Sequence, residues 1–168
     1  MAKTVQGLQI EEDLAHQRRE WRFERAGWVV MGLLLLAGLL GLFGNGPLSR
    51  AQAGDPGAVS VDYDRLQRAA SPQTYRFEVD PALASDGELR LRFEDSLLEE
   101  LEIQSIIPEP ESVTAGPGYT EFAFAMAPGA GSPARIVIQY EHTTFGHVRG
   151  RVAAPGVPTL VVDQFVFP

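Results

Sequence analysis

The chain has 168 residues, no cysteine and a formal net charge of −8 at pH 7. The missing thiol excludes disulfides, thiolate metal sites and cysteine nucleophiles together. The acid excess argues against nucleic acid as a partner, because phosphate binding needs a basic footprint. The charge is also segregated. Up to Phe43, Lys3, Arg18, Arg19, Arg22 and Arg25 balance Glu11, Glu12, Asp13, Glu20 and Glu24, so the excess lies wholly beyond Phe43.

Residues 1–25 are expected to form a cytoplasmic juxtamembrane helix. Ile10 to Arg25 holds no Gly or Pro and is rich in helix formers. Its acids precede its arginines, the order that complements a helix dipole. Ile10, Leu14, Trp21 and Trp28 recur near one face at helical spacing.

Residues 26–44 are expected to be a transmembrane helix. The run is uncharged, bracketed by Arg25 and by the Gly/Pro-broken Gly44-Asn-Gly-Pro47. At about 1.5 Å per residue it reaches roughly 28 Å, close to a hydrocarbon core of about 30 Å. A cleaved signal peptide competes with this reading, since Ala51-Gln-Ala53 is a small-x-small site. The long acid-containing segment before the run and the distance from Phe43 to Ala53 favour an uncleaved anchor. Arg18, Arg19, Arg22 and Arg25 crowd one end while Arg50 stands alone near the other, which places the N-terminus in the cytoplasm. Trp21 and Trp28 suit the interfacial aromatic belt, and the bilayer is thus the first expected partner. Ala37, Gly38 and Gly41 leave a small-residue strip that lets a second membrane helix approach.

Residues 45–58 read as a flexible linker, rich in Gly, Pro and Ala without periodicity. From Val59 the hydrophobic period becomes two. Strands are expected around Val59–Tyr63, Tyr75–Val79, Leu89–Phe93, Glu102–Ile107, Thr120–Met126, Ala134–Glu141, His147–Val152 and Thr159–Phe167. Asp95 to Leu101 fits one helical turn capped by Asp95 or Ser96. Turns are expected at Ala115-Gly-Pro-Gly118 and Pro128-Gly-Ala-Gly131. Short strands at this spacing predict an extracytoplasmic all-β sandwich over 59–168, immunoglobulin-like or fibronectin-like, with neither the tryptophan nor the disulfide of antibody domains.

No nucleophile elbow, phosphate loop, zinc-protease helix or calcium loop occurs, and the strand carboxylates fall at exposed parity. No catalytic residue and no cofactor are assigned. Two stretches depart from the background. Tyr140 to Arg151 gathers His142, Phe145, His147, Arg149 and Arg151, mixing an aromatic with arginines as interface hot spots do. Its two histidines, with Asp163, are the weak candidates for a metal site, though His142-x4-His147 is no specific signature. Thr159 to Phe167 is apolar on both faces, with Leu160, Val162 and Val166 on one and Val161, Phe165 and Phe167 on the other, so a partner or a loop must cover the second.

In layout the chain resembles the bitopic accessory proteins of bacterial inner membranes, which hang a β-sandwich outside the membrane from one N-terminal helix. Copper-delivering oxidase assembly proteins share that layout but depend on a cysteine pair absent here. The expectation is a non-enzymatic, single-pass inner-membrane protein that binds or stabilises another membrane or extracytoplasmic protein. The alternative is a sensor or carrier that binds a ligand or metal through the His142–Arg151 loop.

Overall fold

The structure is a computed structural model that describes residues 14–40, 46–126 and 133–168, with side chains from Glu20 onward. The expected turn at 128–131, Gly41, Gly44 and the first residues of the N-terminal helix lie outside the described residues. So do the side chains of Arg18 and Arg19. The chain divides into two compact units at Leu39.

The first unit contains α1 (Leu14–Leu39), 26 residues without a proline. Arg25 places its guanidinium 4.4 Å from the centre of the Trp21 ring, a cation–π contact one helical turn apart. Trp28 and Leu33 to Leu36 are exposed, Leu35 by 66 %. No helix of the described residues is long and apolar enough to cross a membrane. The reason is local: α1 is charged as far as Arg25, and at 1.5 Å per residue its apolar portion over 26–39 spans about 21 Å. The expected span 26–44 is described only to Leu40.

The second unit is built of strands β1 (Arg50–Gly54), β2 (Val59–Asp64), β3 (Leu66–Arg68), β4 (Gln73–Val79), β5 (Glu88–Glu94), β6 (Leu101–Ile107), β7 (Ser112–Gly116), β8 (Tyr119–Ala125), β9 (Ala134–His142), β10 (Gly146–Ala153) and β11 (Leu160–Phe167), with one helical turn, α2 (Asp95–Leu98), between β5 and β6. They form two sheets, ordered β1-β2-β4-β9-β6 and β3-β11-β10-β5-β8-β7. All pairings are antiparallel except β3 on β11. The result is an all-β sandwich, and its core takes inward residues from both sheets, Val61, Tyr75, Phe77, Ile136 and Ile138 from one and Leu89, Leu91, Phe93, Phe124 and Val162 from the other. Phe77 meets Phe93 edge to face at 5.6 Å across the layers, and Phe93 meets Phe122 at 5.4 Å. Edge-to-face ring pairs of this kind add to the stabilisation from the apolar area that the core buries.

After β5 the chain crosses through α2 to β6 on the other sheet and only then returns through β7 to β8, which pairs with β5.

Three strands were not expected. The segment assigned to a linker contains β1, which pairs with β2 over its whole length, Arg50 opposite Asp64 through Gly54 opposite Ser60. Ala51 and Ala53 pack against the core, and the buried Ser49 hydroxyl donates to Leu66 O at 2.8 Å and accepts from Leu66 N at 3.1 Å. Composition concealed this, because small residues on an edge strand leave no hydrophobic alternation to see. β3 and β7 were missed for their shortness and exposure. The expected helical turn is α2, but its cap is Glu94 with no side-chain bond, and Asp95 instead accepts from Thr120 Oγ1 at 2.9 Å.

α2 has a packing role. Leu97 is fully buried and lies directly over Gly150 of β10, where any added Cβ would overlap the leucine side chain. Beneath it, β10 and β5 pair through only Val152–Phe93 and Ala153–Arg92.

Candidate functional site

The two stretches singled out in the sequence become neighbours in the fold. β10 and β11 pair antiparallel from Gly146–Val166 to Val152–Leu160, which sets His147 opposite Phe165, Arg149 opposite Asp163 and Arg151 opposite Val161. Alternation sends Val148, Val152, Leu160, Val162 and Val166 into the core and the other set outward. His147, Arg149, Arg151, Phe165 and Phe167 thus share the outer face of the six-stranded sheet. Phe165 is 44 % exposed and meets Phe167 edge to face at 5.0 Å. Phe145, in the β9–β10 loop, is 74 % exposed.

Polar groups on this face fall into two sets. His147 Nε2 lies 2.7 Å from Asp163 Oδ1, on the surface. Arg90 pairs with Glu88 at 3.0 Å and Arg92 with Glu121 at 2.6 Å, Arg92 also lying 5.0 Å from the Tyr119 ring centre. The side chains of Arg149 and Arg151 make no ion pair or hydrogen bond among the described residues, nor does that of Arg68, which sits opposite Phe167 on β3. A hollow of about 230 Å³ opens between Arg92, Tyr119 and Arg151.

His142 does not belong to this face. It ends β9 inside the sandwich, 2 % exposed, with its ring edge-on to Tyr140 at 5.3 Å. Neither of its ring nitrogens has a hydrogen-bond partner. Burial pulls its pKa below the ordinary histidine value, with the Glu100 backbone and carboxylate and the Gln164 side chain pulling the other way. The two histidines of the proposed metal set are thus separated, one in the core and one on the surface with Asp163. Among the described residues no three His, Asp or Glu side chains converge to hold a metal ion.

His142 borders a buried polar cluster that spans the two layers. Tyr75 and Tyr140 stack with ring centres 4.2 Å apart. The Tyr75 hydroxyl donates to Gln164 Oε1 at 2.5 Å, while Gln164 Nε2 donates to Tyr140 Oη at 3.0 Å and Asp64 O at 2.9 Å. Gln67 Nε2 reaches the same two acceptors at 2.9 Å and 2.8 Å. Burial, as the leading cause, raises both phenol pKa values, Tyr75 well above its ordinary one, so both hydroxyls keep their protons. The cluster ties β3 and β11 of one sheet to β4 and β9 of the other, which is an architectural task. Gln164 shares the parity of Leu160, Val162 and Val166, so its inward position is readable in the sequence, but its partners are not. Arg68, Arg92 and Tyr119 carried no sequence signal, because they join the face only through sheet order.

On α1, Ala37 is half-buried, while Gly38 is exposed. Trp21, Arg22, Arg25 and Trp28 are exposed along the same helix. Comparison with protein-family models, with curated proteins and with solved structures returns no match.

Proposed function

We propose that the protein is a membrane-tethered, non-catalytic accessory protein whose sandwich docks an extracytoplasmic or membrane protein through the outer face of β10 and β11. The observation that carries the docking is one surface where Phe165 and Val161 stand exposed, with Phe167 half-buried, beside arginine side chains without partners among the described residues. Aromatic and arginine side chains together form the energetic centre of most protein interfaces. The tether rests on the uncharged run 26–44 with its one-sided arginines and on the exposed leucines of α1, which water does not favour and lipid does. This reading sets the N-terminus in the cytoplasm and the sandwich outside the inner membrane.

The test is purification of the full chain in mild detergent at native expression, together with photo-crosslinking from a light-activated residue at position 165. One protein at fixed stoichiometry, joined to position 165 and not to position 137 on the opposite sheet, is expected. A monomer that yields no adduct from position 165 overturns the reading.

A further inference from the structure

The charge on the sandwich is distributed unevenly. No basic residue occurs between Arg92 and Arg135, a stretch holding Glu94, Asp95, Glu99, Glu100, Glu102, Glu109, Glu111 and Glu121. Yet Arg68, Arg90, Arg92, Arg149 and Arg151, most of the arginines of the body, stand on the outer face of the six-stranded sheet. Of the acids of that face, Glu88 pairs with Arg90 and Glu121 with Arg92, while Asp163 lies against His147, which carries charge only when protonated, and Glu94 pairs with no arginine among the described residues. The five arginines outnumber these four acids, so the face keeps a small positive excess in an acidic domain.

The hollow between Arg92 and Arg151 gives this charge a shape. Its lining is Arg92, Glu94, Gly118, Tyr119, Arg151 and Ala153. Arg92 is held in place by Glu121 and by the Tyr119 ring, so its guanidinium is positioned before anything binds. Arg151 on the other wall is free. Glu94 at the rim disfavours a second carboxylate in the same hollow. Arg149 lies two residues along β10 from Arg151, about 7 Å away on the same face, which is the spacing of alternate side chains in an extended chain.

Resting on the docking function proposed above, we infer that the partner presents an extended acidic segment, one carboxylate entering the hollow between Arg92 and Arg151, a second at Arg149, and an apolar side chain against Phe165. Arginine forks suit carboxylates, and charge complementarity at such a surface governs specificity and encounter rate.

The test uses the full chain in phosphatidylcholine nanodiscs and three labelled peptides read by fluorescence anisotropy. One carries glutamate at two alternate positions followed by phenylalanine, one replaces the glutamates by glutamine and one by lysine. The glutamate peptide alone is expected to bind, more weakly as salt rises from about 50 to about 300 mM. Arg149→Ser with Arg151→Ser should weaken it roughly tenfold, given the modest worth of each exposed pair, while Arg50→Ser with Arg76→Ser on the other sheet should leave it unchanged. Equal binding of the glutamine peptide, equal loss in the control pair, or no binding at all overturns the inference. So does arginine-dependent flotation with phosphatidylglycerol vesicles in place of peptide binding, which would make the surface a lipid contact. Crosslinking at position 165 separates the two levels. An adduct that survives Arg149→Ser with Arg151→Ser removes the acidic segment and keeps the docking function, whereas no adduct removes both.

Discussion

The Tyr75 hydroxyl, on the first sheet, donates at 2.5 Å to Gln164 Oε1, on the second, and both side chains are fully buried. The bond crosses the sandwich and fixes β11, the strand that carries Phe165, against β4. Replacing Gln164 by Leu leaves that hydroxyl without its acceptor, at a cost of about 2–3 kcal/mol. Tyr75→Phe in the Gln164→Leu background should recover part of the loss, because a pair removed together leaves nothing unsatisfied. Urea denaturation of the four members of the cycle measures it, and purely additive losses would show that the hydrogen bond matters little.

Gly150 lies under Leu97. Gly150→Ala forces the new methyl into the leucine side chain and should destabilise the sandwich by about 1–3 kcal/mol, as overpacked cores do. Leu97→Ala alone opens a cavity and costs a similar amount or more, yet the double variant should be more stable than the sum of the two implies. Thermal melts of all three distinguish this from a general intolerance of β10 to substitution.

His142 predicts a pH dependence with a definite sign. The folded state favours the neutral ring, so the folded pKa lies below the ordinary value of about 6.5. The unfolded chain therefore takes up the proton first. Stability is full above about pH 6.5 and is lost as the pH falls below it toward the folded pKa, after which the contribution is flat. Glu100 is the charged group facing the ring and tempers the loss. Urea midpoints at about pH 7.5 and about pH 5.0, on either side of that ordinary value, should differ less in His142→Gln than in the natural chain. An unchanged difference would assign the acid sensitivity elsewhere.

The position of Ala51-Gln-Ala53 inside β1 bears on processing. Cleavage after Ala53 would remove most of an edge strand, together with the Ser49–Leu66 bonds that hold it. A soluble fragment beginning at Val59 should be less stable than one beginning at Gly46 by at least about 1–2 kcal/mol, the worth of the lost buried hydrogen bonds alone. Mass spectrometry of the membrane fraction is expected to find the chain uncut at this site. Equal stability of the two fragments would remove the structural objection to cleavage.

Strands with strong alternation, such as Leu89–Phe93 and Leu160–Phe167, were legible in the sequence because each buries one parity and exposes the other. β1 and β7 were not, since Arg-Ala-Gln-Ala-Gly has only alanines as apolar residues and Ser-Val-Thr-Ala-Gly has a single large one, Val113, too little for alternation to show. The proposed docking face was half legible. Phe145, His147, Arg149, Arg151, Phe165 and Phe167 drew notice as two separate stretches, and the β10–β11 register unites all but Phe145, which stays in the β9–β10 loop. His142 misled, since one residue of parity on β9 separates a surface ligand from a core side chain. Arg92 and Tyr119 come to the face through long-range strand order, which no local pattern encodes.

The brevity of the β5–β10 ladder has a mechanical meaning. Two hydrogen-bonded residue pairs make the six-stranded sheet in effect two three-stranded ribbons, β3-β11-β10 and β7-β8-β5, meeting along a seam that Leu97 plugs from within. Arg151 stands on one ribbon and Arg92 on the other. A ligand gripping both would act as an external staple, and the amides of Phe93 and Val152 would then exchange with solvent more slowly once it is bound.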